Sequence, residues 1–471
     1  MKSMMNIDDV DSKDAPENAS SSLNLDSLNM SEDQLVAFSA LMADKRNIFL
    51  TGGAGTGKSY VIQSYIKHAP EKPAVLASTG AASLLIGGRT FHSFFGLKQM
   101  DGGVKRTVES AVRNESVIYR IKNAREIIID EVSMLGPDTW LAADLIAKEI
   151  NASPEPFGGI RVVAVGDFLQ LPPVDKVMQN SKKLFDSKSW VDLNFQFCEL
   201  TSPHRSDNIE FVKLLHLIRA GHITPEVEKF LSDRKKATRE LIPEINDRNM
   251  LNDGSFRNKF EGTVLFGKKV NVEAYNDDRL KELEGDVTEF PTEVKYENKE
   301  TIPKDRLIRM TPIPEVLRLK VGALVMIRIN DVHHRFVNGS LAYVKEITGS
   351  VVIVRLMSDK KGALPISIAK HNFVVNGADG DPVASVSNFP LSLGYATTIH
   401  KSQGSSVDRL LVNLRSVWEF GQSYVALSRV RSPEGLFIEE YSTVCIKACG
   451  SAKRYYADMR KKAAAELSAS S

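Results

Sequence analysis

The sequence predicts an α/β chain built on two separate parallel sheets, and three observations predict it. Short apolar runs end in glycine or carboxylates at "RNIFLTGG" (46–53), "REIIIDE" (125–131) and "IRVVAVGD" (160–167). Buried parallel strands read this way, with ligand-bearing loops after their C-terminal ends. Far downstream, "FPLSLGYATTIHKSQGSSVDRLLVNL" (389–414) and "SYVALSRVRSPEGLFI" (423–438) repeat the pattern as a second sheet with polar loops after its strands. Residues 319–375 differ from both: β-branched runs alternate with Asn338-Gly339, Thr348-Gly349 and Lys361-Gly362. Those turn signals give consecutive antiparallel strands, a small barrel inserted into the second sheet's domain.

Composition bounds the rest. A chain of 471 residues, 42% hydrophobic and 25% charged, is globular and long enough for two to four domains. It lacks the roughly 18 uninterrupted apolar residues of a membrane span, and its N-terminus lacks a signal-peptide layout. The expectation is an intracellular protein, cytoplasmic in a prokaryote and with the nucleus open to it in a eukaryote. Cys198, Cys445 and Cys449 are a sparse, odd set that fits a reducing compartment. The net charge of +2 hides an asymmetry: residues 1–30 carry six acids against Lys2 and Lys13, a charge of −4, which leaves +6 on the remainder. That acidic leader reads as disordered, and the basic body admits nucleic acid as a partner.

The first domain, residues 31–200, opens with "FLTGGAGTGKSYVIQ" (49–63). Gly52, Gly57, Lys58 and Ser59 occupy the fixed places of G-x-x-x-x-G-K-[ST], between an apolar strand and a helix start. The backbone N–H groups of Gly53, Ala54, Gly55, Thr56 and Gly57 converge on a phosphate at a helix N-terminus, Lys58 reaches the β- and γ-oxygens, and Ser59 holds Mg²⁺. ATP with Mg²⁺ is the expected ligand. Asp130 and Glu131 end the second strand, where Asp130 suits the metal and Glu131 the attacking water. Gln170, in the turn after the third strand, carries an amide that can report on the γ-phosphate. Arg429 follows by about three hundred residues. Offered from the second domain to the γ-phosphate of the first, it would make hydrolysis depend on closure of the cleft.

The stretch 96–125 interrupts the first domain. From Lys98 to Arg125 it holds seven basic residues, Lys105 and Arg106 among them, against three acids. A basic insertion on a motor lines a strand path or forms a wedge at a duplex fork. Residues 201–261 read as a linker with helices, 262–440 as the second domain, and 441–471 as a basic helix and tail.

In order along the chain, "GGAGTGKS", "STGAASLLIGGRTFHSFF", "IIDEVSML", "PFGGIRVVAVGDFLQLPPV", "LTSPHRS", "YATTIHKSQG" and "YVALSRVRS" resemble the superfamily 1 (group B) DNA helicases of the Pif-one (petite integration frequency) type. The resemblance covers residues 31 to about 440. Within the segment that leads to "PFGG", Trp140, Ala147 and Asn151 replace the basic and phenylalanine residues of that family's signature. The resemblance implies two RecA-like P-loop domains, a wedge in the first and a Src-homology-3-like barrel in the second. It implies ATP-dependent 5′→3′ translocation on single-stranded DNA and unwinding of forked or tailed duplex in replication, repair, recombination or telomere maintenance, by a protein read as a monomer. Residue by residue, Gln34 resembles an adenine-recognising glutamine, Arg205 and Arg429 a pair of arginines on the γ-phosphate, and Gln403 with Gly404 the motif joining nucleotide to the DNA edge. Thr79 and His92 resemble strand contacts, as do Thr398, His400 and Lys401, while Phe94 reads as packing. Two rival readings are a RecD- or relaxase-type helicase and a nucleic-acid-stimulated ATPase that switches without unwinding.

Overall fold

In a computed structural model the described residues are 28–470 except 44, 79–87, 98–99, 101, 174–182, 203, 205–207, 243–259, 268, 298–301, 332, 334, 359–363, 377–381 and 404. The acidic leader up to 27 therefore lies outside them, as do Thr79, Arg205 and Gly404. Among the described residues no helix is long and apolar enough to cross a membrane.

Six strands form the first sheet: β1 (Ile48–Gly52), β2 (Ala74–Ala77), β3 (Arg89–Thr90), β4 (Glu126–Asp130), β5 (Arg161–Gly166) and β6 (Gln196–Leu200). Their order is β3-β2-β4-β5-β1-β6, and every pairing is parallel. Side chains alternate across this sheet with period two. Ile48, Leu50, Ile128, Val163 and Val165 pack under helices Glu32–Ala43 and Lys58–His68. Phe49, Ile127, Ile129, Val162 and Ala164 face a second core around Trp140 and Trp190. Burial on both faces explains why these strands read as unbroken apolar runs. The order also puts the loops after β1, β4 and β5 side by side at one sheet edge.

The 96–125 stretch forms two helices, Gly103–Ala111 and Glu115–Asn123, the second capped by Asn114 through the Val117 N–H at 3.2 Å. Both are amphipathic and bury Val108, Ala111, Val117 and Ile121 in the Trp140 core. Lys105, Arg106, Arg113 and Lys122 face solvent. Arg120 does not: it is buried and donates to the carbonyls of Phe94 and Ser93, each at 3.1 Å. Trp140 and Ala147 are fully buried on helix Pro137–Asn151, and Trp140 stacks on Phe91. Asn151 donates to Gly158 O at 3.0 Å, which holds the "PFGG" turn against that helix.

The second sheet, β18-β7-β19-β20, joins β7 (Thr263–Phe266), β18 (Ala396–Thr398), β19 (Leu410–Val412) and β20 (Leu436–Ile438), all parallel. Helices Ile209–Arg219 and Pro225–Leu241 put Phe211, Leu215, Ile218, Val227 and Leu231 into its core. Helices 209–241, in the stretch read as a linker with helices, are thus a layer of the second domain. Residues 423–427, read as strand, form helix Gln422–Leu427. A short apolar run carries no period by which to tell the two apart.

The antiparallel strands begin earlier and end later than 319–375. β11 (Leu324–Ile327), β12 (Leu341–Ile347), β13 (Val351–Leu356) and β14 (Ile366–Ala369) pair in order, and β17 (Leu391–Leu393) adds to β11. β8 (Thr288–Pro291) pairs with β10 (Val316–Leu319), while β9 (Glu293–Tyr296) and β15 (His371–Asn376) flank β16 (Pro382–Asn388). Strands β8 and β9, "TEFP" and "EVKY", are mostly exposed, so they lack the apolar signature that marked the others. The chain then returns: helix Gly450–Ser470 buries Ala452 and Tyr456 in the core of the first sheet.

Candidate nucleotide site

The loop after β1 supplies backbone donors and a lysine. Gly55 and Gly57 take φ of +80° and +84°, and Lys58 begins the following helix. A Cβ at Gly57 would overlap the Gln34 amide, so the close approach of loop and Gln34 requires glycine there. Lys58 Nζ donates to Gly52 O at 2.9 Å and Gly53 O at 3.0 Å, folded over the loop. Burial pushes its pKa down, while the carboxylates of Asp167, Glu131 and Asp130 oppose that. Ser59, one residue on, is exposed.

Gln34 is buried, donates to Thr56 O at 3.0 Å and accepts the Ser31 N–H at 3.1 Å. Asp33 locks this turn: one oxygen accepts the Ser31 hydroxyl and the Gln34 N–H, the other the N–H groups of Thr201 (2.6 Å) and Ser202 (2.8 Å). Burial alone would raise the Asp33 carboxyl, but hydrogen bonds from Ser31, Ser202 and Thr201 outweigh it and hold the group at about 2. His204 N–H donates to Gly55 O at 2.8 Å, and its ring lies 3.1 Å from the Ser31 hydroxyl.

Asp130 and Glu131 follow β4. Glu131 sits in the left-handed region (φ +52°) and donates its N–H to Asp130 Oδ1 at 2.9 Å. Burial, then the charge of Asp130, pushes the Glu131 carboxyl up to about 7. Burial also raises Asp130, against the Glu131 N–H and Lys58. Gln170 lies in the turn after β5 and donates to Asp167 Oδ2 at 3.1 Å. Asp167 has no exposed side-chain surface and is held by both arms of Arg219, Nε at 2.9 Å and Nη2 at 2.8 Å.

Besides Arg219, three side chains of the second domain reach the cleft. Gln403 donates to Glu131 Oε2 at 3.1 Å. Tyr424 is buried and its hydroxyl accepts the Ala54 N–H at 2.6 Å. Arg429 lies in the turn after helix Gln422–Leu427, 1% exposed, and not in an open loop after a strand. Its guanidinium donates to the carbonyls of Val425 (2.7 Å), Ser402 (3.2 Å) and Ser405 (3.3 Å) and to the Ser428 hydroxyl (2.8 Å). Its charge, like that of Lys58, opposes the rise of the Glu131 carboxyl.

The expected strand contacts divide. Lys105, Arg106 and Lys401 are exposed. His92 is half-buried, and that burial lowers its pKa, which favours the neutral ring. His400 faces Glu419 at 3.4 Å. Thr398 is buried and its hydroxyl accepts the Lys401 N–H at 3.1 Å, so it shapes the turn that presents Lys401. Sequence reading missed Asp33, His204, Asp167, Arg219 and Tyr424. Asp167 alone carried a signal, as the acid of the Gly166-Asp167 turn.

The model of the PIF1-like helicase family matches residues 29–229. The ATP-dependent DNA helicase Pif1 of Bdellovibrio bacteriovorus is 39% identical over 413 residues, covering 87% of this chain and 88% of that protein. The corresponding Danio rerio protein is 33% identical, and this chain spans 64% of its length. Among solved structures, Bacteroides sp Pif1 in complex with ADP-AlF4 matches 92% of the chain and 97% of its own, with a TM-score of 0.76 at 26% identity. Bacteroides Pif1 bound to ssDNA matches the same shares, with a TM-score of 0.59 at 27% identity. The chain belongs to the PIF1-like helicase family.

Proposed function

We propose that the chain hydrolyses ATP to move 5′→3′ along single-stranded DNA and to separate duplex ahead of it. The observation that carries this reading is the meeting of two domains at one site: Gln403 of the second donates to Glu131 of the first, the Tyr424 hydroxyl accepts the Ala54 N–H of the phosphate loop, and the charge of Arg429 acts on Glu131. A nucleotide held between two bodies links its hydrolysis to their relative movement, which a site inside one domain does not.

Each residue has a derivable part. The loop N–H groups and Lys58 bind the phosphates, and Gln34, pinned by Asp33, borders the loop where the base would lie. Glu131, whose carboxyl is pushed up by burial and by the charge of Asp130, accepts a proton from the attacking water. Arg429 offsets charge that develops on the γ-phosphate. Asp130 is an oxygen donor whose carboxyl is pushed up by burial, against Lys58, and Ser59 is an exposed hydroxyl in the first turn of the helix after the loop. That donor set suits a hard divalent cation. Mg²⁺ held there would neutralise charge between the β- and γ-phosphates. The motor domains span 31–200 and 262–440, with helices 209–241 added to the second, and Lys105, Arg106 and Lys401 contact DNA phosphates.

Support from relatives is of two kinds: the Bacteroides structures carry ADP-AlF4 or ssDNA on the same fold, and the Bdellovibrio relative is named an ATP-dependent DNA helicase. Strand displacement from a 5′-tailed duplex, with a 3′-tailed duplex as control, tests the reading. Release from the 5′-tailed substrate alone, dependent on ATP, is expected. Hydrolysis with no release from either substrate would leave a switch in place of a motor.

A further inference from the structure

The Tyr456 hydroxyl lies where three distant segments meet. It is 2.8 Å from Thr51 Oγ1, accepts the Phe168 N–H at 3.0 Å and donates to Asp167 Oδ1 at 3.3 Å. A phenol has one proton to give and two lone pairs to fill. Asp167, paired with Arg219, only accepts, so the phenol proton goes to it. The lone pairs then take the Phe168 N–H and the Thr51 hydroxyl, and the whole set is satisfied. Thr51 is the strand residue immediately before Gly52 of the phosphate loop, and Asp167 and Phe168 stand between β5 and Gln170. Tyr456 is 1% exposed, and its ring stacks on Phe49 of β1 and under the Arg219 guanidinium.

The chain reaches Tyr456 by way of the helix that precedes Arg429. Gly421 N–H donates to Lys447 O at 3.0 Å, and the Ser423 hydroxyl donates to Cys445 O at 2.7 Å. One continuous strap, 445–456, thus touches the start of that helix and the back of the phosphate loop.

We infer that Tyr456 is a positioning residue of the nucleotide site: its hydroxyl fixes Asp167, and through Asp167 the Gln170 amide, against the end of β1, so that the C-terminal helix helps set the catalytic geometry. The inference rests on the ATPase reading above. Tyr456 acts through Asp167 and Thr51. Its neighbour Tyr455 provides a matched control on the same helix, because its hydroxyl accepts the Trp190 Nε1–H at 2.9 Å inside the aromatic core.

The test compares the full-length wild type, Tyr456→Phe and Tyr455→Phe by ATP turnover with saturating single-stranded oligonucleotide. Loss of the Tyr456 hydroxyl leaves the Phe168 N–H without its acceptor, so kcat is expected to fall about tenfold or more with KM for ATP within about threefold. Tyr455→Phe is expected to stay within about twofold of wild type in kcat. Thr51→Val removes the hydroxyl that ties Tyr456 to the end of β1 and should lower kcat in the same direction, with KM for ATP again within about threefold, even where Tyr456→Phe folds poorly. Equal losses in the two tyrosine variants, or unchanged kcat in folded Tyr456→Phe, would overturn the inference alone. A wild-type chain without turnover would overturn the ATPase reading and the inference with it.

Discussion

Gly421 packs against first-domain backbone. It precedes helix Gln422–Leu427 with φ +73°, and an added Cβ would sit 2.5 Å from the carbonyl oxygens of both Leu169 and Gln170. That is about 1 Å inside ordinary contact. Both obstacles are backbone of the turn that carries Asp167 and Gln170, so neither can rotate away. Gly421→Ala therefore pushes the helix back by roughly 1 Å, and Tyr424 and Arg429 move with it; a displacement of that size costs on the order of 10² in rate. The left-handed backbone adds about 1–2 kcal/mol of lost stability. Gly285→Ala separates the two effects, since Gly285 has φ +84° and nothing within 4 Å of its Cβ position. Steady-state ATPase with single-stranded DNA is the assay, alongside binding of a fluorescent ATP analogue and thermal melting. Gly421→Ala should bind nucleotide with near-normal affinity and lose kcat, while Gly285→Ala should lose a few degrees of Tm and no kcat. Wild-type kcat in a folded Gly421→Ala protein would refute the idea that the contact between this helix and the 167–170 turn sets the site.

Other substitutions probe the remaining parts. Lys58→Ala should abolish ATP turnover while binding of single-stranded DNA, measured by fluorescence anisotropy, stays near wild type. Glu131→Gln should bind ATP and hydrolyse it poorly, because Asp130 remains while the water loses its base; a single-turnover assay with labelled ATP reads the difference. Asp33→Asn should raise KM for ATP and leave kcat alone, since it frees the Gln34 turn. Its effect on stability has a sign in pH. The folded carboxyl titrates near 2 against an ordinary 3.8, so the stabilisation is complete above 3.8 and disappears as pH falls toward 2. Melting curves of wild type and Asp33→Asn should therefore converge on acidification.

What could be read from the sequence follows the reach of each constraint. The phosphate loop was legible because phosphate chemistry fixes Gly52, Gly57, Lys58 and Ser59 at set spacings between a strand and a helix. Asp130 and Glu131 were legible because carboxylates that end an apolar run stand at the C-terminal edge of a parallel sheet, and the phosphate loop marks that edge as the ligand side. The network behind them was not: Tyr456 meets Asp167 across 289 residues and Tyr424 meets Ala54 across 370. Contacts of that span leave no period or spacing to recognise. Arg120 shows the reverse error, since it was counted among the seven basic residues of the proposed strand path or wedge yet serves the carbonyls of Phe94 and Ser93. Charge composition says nothing about which member of a run turns inward. Helices 209–241 looked like a linker because their apolar stripe makes sense only against a sheet whose strands come later in the chain.

The central claim is that two domains form one catalytic site, and Arg429 bears on it most directly. The decisive measurement is the kcat for ATP of Arg429→Ala with and without single-stranded DNA, on protein whose melting curve shows both domains folded. Loss of the guanidinium should keep ATP affinity within roughly tenfold, because the loop backbone and Lys58 provide most ground-state contacts, and lower kcat by on the order of 10² or more. DNA should then no longer stimulate turnover. DNA-stimulated kcat equal to wild type would contradict a shared site and leave hydrolysis to the first domain alone.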